Sequence, residues 1–314
     1  MHGKRHHVGM ARSLCLVVAL ALVVLTAMPV QAAGAVVVAS KIDTEGNLLG
    51  NMIATVLESH GVATRGRLQL GPTQIVRRAL LAGEIDLYPE YTGNGAYFFH
   101  REDDPAWRDA ARGYALVKSL DAANHLVWLA AAPANNTWAI ALRKDVSQAR
   151  GIVTLEDFAR YLGGGGIVRL AASAEFVNSP GGLPSFERAY GFHLTRGQLL
   201  TLAGGNTAAT IRAAAEHISG VNAAMAYGTD GALATLGLTA LADDKGAQMV
   251  YRPAPVVRAQ VLQAHPEIAT LLDPVFATLT LETLQRLNAE IAIEGHDAGA
   301  VAAAYLAAKG FVAK

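Results

Sequence analysis

Apolar residues along this chain alternate between short continuous runs and longer segments in which they recur at helical spacing. Three early runs of strand type are Val36–Ala39, Leu68–Leu70 and Ile85–Tyr88. The segments 48–57 and 73–82 have apolar residues every three or four positions, which predicts helices. Thr44, just before the first of these segments, is the predicted N-cap. The alternation of strand and helix predicts an α/β fold with a largely parallel sheet.

A second alternating stretch occupies the middle of the chain. Strands are predicted at 127–130, 138–142, 167–171 and 223–227, and helices at 184–190 and 208–217. Thr154 and Asp157 form a predicted capping box for a further helix. From residue 265 onward the pattern is mostly helical. Two arrangements fit this order equally: two sequential domains, or two lobes between which the chain crosses more than once.

The first 32 residues have the pattern of an export signal. Basic residues in the first twelve positions are followed by an uninterrupted apolar run, Leu14–Met28. Pro29 ends this run, and Val30 and Ala32 then provide the spacing of a cleavage site. The run is shorter than the roughly 20 residues of a bilayer-spanning helix, which disfavours an uncleaved anchor. We therefore expect residues 1–32 to be a signal peptide, cleaved near Ala32, that directs the protein to the periplasm.

Charge and cysteine content exclude some classes of partner and one means of stabilisation. The chain has 26 basic and 26 acidic residues, and only 17% of its residues are charged, which disfavours binding to nucleic acid or to an anionic membrane surface. Its single cysteine, Cys15, leaves with the signal peptide. The exported chain therefore has no disulfide, and a packed core must stabilise it.

Motifs of catalytic and cofactor sites are missing from the sequence. It has no G-x-S-x-G, H-E-x-x-H, Walker A or G-x-G-x-x-G pattern. The seven histidines that follow the predicted signal peptide are dispersed, and no two of them have metal-ligand spacing. We therefore expect no metal, no cofactor and no enzymatic activity. Three nearby carboxylates, Glu84, Asp86 and Glu90, leave a periplasmic enzyme as an alternative.

Aromatic residues concentrate in one short segment of the chain. Five of them fall within twelve positions: Tyr88, Tyr91, Tyr97, Phe98 and Phe99. Pro89, Gly93 and Gly95 are expected to hold some of these rings off regular structure, where they can line a cleft. Aromatic rings over polar turn backbone suit a cationic or sugar ligand. The alternative is a cluster that only packs beneath a loop.

Several segments, in the same order along the chain, resemble the substrate-binding proteins of osmoprotectant ABC importers, which bind glycine betaine, choline, carnitine and related quaternary amines. The segments are Glu84–Gly93, Asn136–Ala139, Ala226–Gly231, Asp243–Lys245 and Tyr251–Arg258. The similarity extends from about Lys41 to the C-terminus. Through Asn206–Arg212 and Gly220–Asp230 it is strongest to the OsmF/YehZ-like branch of periplasmic glycine betaine-binding proteins.

The resemblance implies the type II periplasmic binding protein fold. In this fold two α/β lobes, each with a central mixed sheet flanked by helices, are joined by two crossovers and close around the ligand. The crossovers are expected near residues 136 and 240. Residues 33–136 and 241–314 would then form a discontinuous first lobe, and residues 137–240 the second lobe.

The resemblance also assigns ligand-binding residues. In the family, aromatic rings form a cage that holds the trimethylammonium group by cation–π attraction. By position in the motifs, Tyr91, Trp138 and Tyr227 are the cage rings of this chain. Asn94 occupies a position expected to influence head-group preference, and Lys41 and Thr44 lie in a strand-to-helix turn that faces the cleft.

Two positions depart from the family pattern. Ser179 stands where relatives carry an Arg that clamps the ligand carboxylate, and Gly204–Thr207 stands where they carry a further aromatic ring. These losses predict weak betaine binding or a different ligand. Asn206 or Thr207 is hypothesised to replace the clamp, because the N-terminus of the helix that follows carries partial positive charge.

The sequence therefore predicts a monomeric periplasmic solute-binding protein. It would capture glycine betaine or a related quaternary amine with low affinity and deliver it to an ABC permease in the inner membrane. The alternatives are a binding protein for another small zwitterion, an osmotic sensor for a membrane partner and, less favoured, an enzyme.

Overall fold

The computed structural model describes residues 34–202 and 207–312. The predicted signal peptide and Asn206, one of the predicted site residues, lie outside these ranges. Within them, the secondary structure separates into two five-stranded sheets, each flanked by helices. None of the described helices is long and apolar enough to cross a membrane.

The first sheet contains strands from both ends of the described chain. Its strands are β1 (Val36–Lys41), β2 (Thr64–Gly71), β3 (Leu87–Tyr91), β4 (Leu126–Trp128) and β10 (Pro253–Arg258), in the spatial order β2-β1-β3-β10-β4. The first three strands are parallel, whereas β10 runs antiparallel to both of its neighbours. The sheet is therefore mixed.

Helices from both ends of the chain accompany the first sheet. The early ones are α1 (Thr44–Ser59), α2 (Thr73–Leu81), α3 (Gly95–Phe98) and α4 (Ala110–Ala122). The late ones are α11 (Ala259–Ala264), α12 (Glu267–Ala277), α13 (Leu281–Ala292) and α14 (Ala298–Lys309). We call this part of the molecule the first lobe.

The second sheet is built from the middle of the chain. Its strands are β5 (Trp138–Arg143), β6 (Leu170–Ser173), β7 (Leu199–Leu202), β8 (Ala223–Tyr227) and β9 (Leu238–Ala240), in the order β7-β6-β8-β5-β9. Its helices are α5 (Lys144–Arg150), α6 (Leu155–Gly163), α7 (Ala174–Asn178), α8 (Leu183–Tyr190), α9 (Thr207–Ala215) and α10 (Ala232–Thr235). Parallel and antiparallel pairs again occur together. We call this part the second lobe.

Both sheets are covered on their two faces, and strand alternation explains how. Val36 and Val38 of β1 pack into one apolar cluster, whereas Val37 and Ala39 pack into another on the opposite face. In the second sheet, Ile140 and Ala141 of β5 likewise belong to different clusters. Strands covered on both faces appear in the sequence as continuous apolar runs, which is the pattern observed.

The predicted fold class is confirmed: two lobes, each with a mixed sheet and flanking helices. The chain passes from β4 to β5 and returns from β9 to β10, so it connects the sheets twice. The proposed lobe boundaries at 136/137 and 240/241 stay a prediction. The capping box of α6 is confirmed, because Thr154 and Asp157 exchange side-chain and backbone hydrogen bonds.

Two local predictions are wrong. Asp43, and not Thr44, caps α1, because its carboxylate accepts a hydrogen bond from Gly46 N at 2.8 Å while Thr44 is already helical. The third strand extends past Tyr88 through Pro89 to Tyr91. Pro89 is tolerated because it lies opposite Pro255 of β10, where neither residue has a backbone N–H to donate.

Candidate functional site

A cavity of about 1030 Å³ lies between the two lobes. Seven of the predicted site residues line it: Lys41, Thr44, Tyr91, Asn94, Trp138, Thr207 and Tyr227. Four come from the first lobe and three from the second, so the fold brings together residues that are far apart in the sequence. Their contact with a ligand stays a prediction.

Strand pairing positions two of the predicted cage rings next to each other. Trp138 begins β5, Tyr227 ends β8, and the two residues are direct partners in the antiparallel ladder. Directly opposed side chains on neighbouring strands have Cβ atoms about 5 Å apart. The Trp138 ring also packs edge-on against Phe176, with 5.6 Å between ring centroids and an interplanar angle of 86°. The second lobe thus presents Trp138 and Tyr227 as a supported pair.

In the first lobe, Tyr91 lies beneath a buried ammonium group. The Lys41 Nζ atom is 4.4 Å from the centroid of the Tyr91 ring and forms an ion pair with Glu90. Glu90 is fully buried and also accepts hydrogen bonds from Tyr88 OH at 2.7 Å and from Asn94 Nδ2 at 2.8 Å. One face of Tyr91 therefore already holds an internal cation, and Asn94 is held by Glu90.

This arrangement weakens the case for an acid–base site at the early carboxylates. Glu90 is neutralised by Lys41, and Asp86 accepts from Val37 N at 2.9 Å and from Arg258 Nη1 at 3.1 Å. Both carboxylates therefore serve as acceptors of hydrogen bonds and ion pairs within the fold. Within residues 34–202 and 207–312, no group of three or more metal-ligating side chains is found either.

Glu45, which the sequence did not indicate as a site residue, also lines the cavity. Its Oε1 accepts from Tyr91 OH at 2.8 Å and from Asn136 Nδ2 at 3.2 Å, and its Oε2 accepts from Asn288 Nδ2 at 2.8 Å. Burial raises the pKa of Glu45, although hydrogen bonds from Thr229, Tyr91 and Asn288 oppose the rise. An acidic residue in the first turn of a helix is usually exposed to solvent and interacts with the helix dipole. Nothing in the sequence therefore indicated that Glu45 is buried.

Two further aromatic rings line the cavity, Tyr97 and Tyr251. Tyr251 lies in one of the family-like segments, and burial raises the pKa of its phenol. Its backbone N–H donates to Asn135 Oδ1 at 2.8 Å, which ties it to the segment just before Trp138. Five aromatic rings of the described residues therefore line the cavity. Tyr97 belongs to the aromatic cluster that was expected to line a cleft, whereas Tyr251 was not predicted as a site residue.

The cavity also offers cations for an anionic ligand group. Ser179 lines it at the position where the family pattern has Arg. Arg188 of α8 lines it as well and donates to the carbonyl of Pro180, the residue after Ser179, at 3.0 Å. Thr207, at the start of α9, forms a hydrogen bond that lowers the burial-raised pKa of Asp230. The side chain proposed to replace the clamp is thus already engaged by a carboxylate.

The lobes meet at a tight contact beside the cavity. Gln285 Nε2 of α13 donates to the Gly228 carbonyl at 2.7 Å, and Asn288 Nδ2 donates to the Thr229 carbonyl at 2.9 Å. A Cβ atom at Gly231 would lie 2.2 Å from Ala289 N, so only glycine fits there. The turn after β8 in the second lobe is therefore fastened to α13 of the first lobe.

Comparisons with known proteins agree with this geometry. Residues 34–308 match the family described as the substrate-binding domain of ABC-type glycine betaine transport systems. The chain is 59% identical to the glycine betaine-binding protein YehZ of Escherichia coli, over 90% of this chain and 93% of that protein. It is 34% identical to a glycine-betaine-binding protein of Pseudomonas aeruginosa, over 86% of each chain. The structure of apo YehZ from Escherichia coli superposes with a TM-score of 0.84 and covers 89% of this chain and 100% of that one.

Proposed function

Because this chain belongs to the family of substrate-binding domains of ABC-type glycine betaine transport systems, we propose that it captures glycine betaine or a related quaternary amine between its two lobes. The observation that carries this proposal is the cavity between the lobes, to which the two sheets bring Tyr91, Trp138 and Tyr227. Aromatic faces attract a quaternary ammonium by cation–π interaction, worth about 0.5 to 2 kcal/mol per ring. The protein performs no chemistry on its ligand, since the family consists of transport proteins.

We propose that the captured solute passes to an ABC permease in the inner membrane and that the protein acts as a periplasmic monomer. The family-wide transport role and the signal-like first 32 residues support this placement. The low affinity expected for betaine follows from Ser179, which cannot clamp a carboxylate as Arg does. Another small zwitterion remains the second candidate, favoured by the same substitution together with the buried ammonium of Lys41.

Calorimetry and thermal-shift measurements on the mature protein test the proposal. The panel contains glycine betaine, choline, carnitine, proline betaine, ectoine and the common amino acids. We expect quaternary amines to bind, and Trp138→Ala to weaken them roughly 2- to 30-fold through the loss of one ring. Trp138→Phe, which keeps an aromatic face, is the matched control and should lose less. Stabilisation by none of the quaternary amines overturns the proposal, and stabilisation by an amino acid alone favours the second candidate.

A further inference from the structure

Five charged side chains are buried in the part of the chain that the structure describes: Lys41, Glu45, Arg77, Glu90 and Asp121. Four of them form two ion pairs, Lys41 with Glu90 and Arg77 with Asp121. Glu45, with only 4% of its surface exposed, forms none within these residues. Three acids against two bases leave one buried acid, Glu45, without a cationic partner among these residues.

The groups that contact Glu45 are neutral. Its hydrogen-bond donors are the phenol of Tyr91, the side chain of Thr229 and the amides of Asn136 and Asn288. The N-terminus of α1, in whose first turn Glu45 lies, adds only a partial positive charge of about half a unit. A buried carboxylate normally has a cationic partner, because removal of an isolated charge from water costs several kcal/mol.

The position of Glu45 would allow a ligand to provide a cationic partner. Glu45 lines the cavity between the lobes, and its carboxylate holds the hydroxyl of Tyr91, one of the proposed cage rings. One face of Tyr91 is taken by the Lys41 ammonium, but that ammonium is neutralised by Glu90. A ligand cation in this cavity would therefore meet a net negative charge as well as aromatic faces.

We propose that Glu45 is a specificity-determining residue whose buried carboxylate is the counter-ion of the ligand's quaternary ammonium. This inference rests on the proposed function. Aromatic faces alone attract a cation weakly, whereas an ionised carboxylate in a partly desolvated cavity attracts it over a longer distance. Glu45 thereby selects permanently cationic ligands over neutral ones of the same shape. The charge is kept in place by Asn136 and Asn288, which lie on the connection between the lobes and on α13.

Glu45→Gln tests the assignment, because it removes the charge and keeps the size of the side chain. Glycine betaine and choline are titrated into wild type and variant by calorimetry. We expect both ligands to bind about tenfold more weakly or worse. The ligand-free variant should melt at the same temperature as wild type or higher, because an isolated buried charge has been removed. Loss of affinity without loss of stability is a result that a purely structural role cannot produce.

Two further variants sharpen the test. Glu45→Asp retains the charge and should recover part of the affinity that Glu45→Gln loses. Glu58→Gln removes a carboxylate from the exposed far end of the same helix, outside the cavity, and should bind both ligands like wild type. The inference is overturned if Glu45→Gln binds both ligands with wild-type affinity. It is also overturned if Glu45→Gln and Glu45→Asp lose affinity to the same extent and both melt at a lower temperature than wild type. Failure of the proposed function is a separate result, since wild type would then bind neither ligand.

Discussion

At the residue scale, the cavity differs from the one expected because charged side chains accompany the rings. Tyr91 was predicted as a ring that faces the ligand, but it shares its surroundings with Lys41, Glu90 and Glu45. The ion pair of Lys41 with Glu90 joins residues 49 positions apart, and the hydrogen bond of Tyr91 to Glu45 joins residues 46 positions apart. Neither periodicity nor motif position reports such contacts, so they could not be predicted.

The buried carboxylate of Glu45 also predicts a pH dependence of stability. Its pKa lies above the ordinary value of 4.5 because of burial, so the folded state holds this proton more tightly than the unfolded chain does. The resulting stabilisation is present at acidic pH and is lost as the pH rises through the folded-state pKa. The side chain that Glu45→Gln introduces does not titrate. The melting temperature of the variant should therefore rise relative to that of wild type as the pH increases.

Melting curves of the two ligand-free proteins between about pH 4 and pH 8 check this prediction. The other titratable groups that line the cavity with Glu45, among them Lys41, Asp43, Tyr91 and Asp230, occur in both proteins and cancel in the difference. A difference in melting temperature that does not change with pH would show that Glu45 does not titrate as argued.

At the element scale, the contact between α13 and the turn before α10 is the most constrained junction of the two lobes. Gly231→Ala should lower the free energy of unfolding by about 1 to 3 kcal/mol, because the added methyl group would overlap the backbone of α13 at Ala289. Gly163→Ala is the matched control, since a Cβ atom there meets nothing within 4 Å. Chemical denaturation measures the free energy of unfolding of both variants. Equal values would contradict the close approach of Gly231 to Ala289.

Helices α8 and α9 each offer a group that could bind the carboxylate of a ligand in place of the Arg of the family pattern. Thr207 opens α9 but already engages Asp230, whereas Arg188 of α8 donates to the carbonyl of Pro180, the residue after Ser179. We expect Arg188→Ala to weaken glycine betaine about tenfold and to leave choline, which has no carboxylate, unchanged. Thr207→Ala and Asn206→Ala should have smaller effects. The opposite ranking in calorimetry would favour the N-terminus of α9, and wild-type affinity in all three variants would exclude both helices.

At the scale of the whole molecule, the alternation of strands and helices was enough to predict the fold class, and family-like segments indicated the lobes. The limits of individual strands were less predictable. The edge strand β2 begins at Thr64, four residues before the predicted run. The prediction began too late because Arg65 and Arg67 are exposed and interrupt the apolar pattern. Glu45 and Asn288 meet across 243 positions, a contact that only the assembled fold creates.

The export prediction also belongs to the whole molecule. If residues 1–32 are removed, the protein isolated from the periplasm begins at Ala33. N-terminal sequencing after cell fractionation measures this directly, and a variant with charged residues inside Leu14–Met28 should stay unprocessed in the cytoplasm. Recovery of the full-length chain from the membrane fraction would instead indicate an uncleaved anchor.

The direct pairing of Trp138 with Tyr227 across β5 and β8 bears on how a ligand would be released. Because both rings lie on adjacent strands of one sheet, any movement of the second lobe relative to the first carries them together away from Tyr91. A ligand held by all three rings would therefore lose Trp138 and Tyr227 together, so its release would be linked to the separation of the lobes. In the proposed transport role, the rate of solute release would then depend on the contacts between the lobes, such as those of Gln285 and Asn288 with the turn after β8.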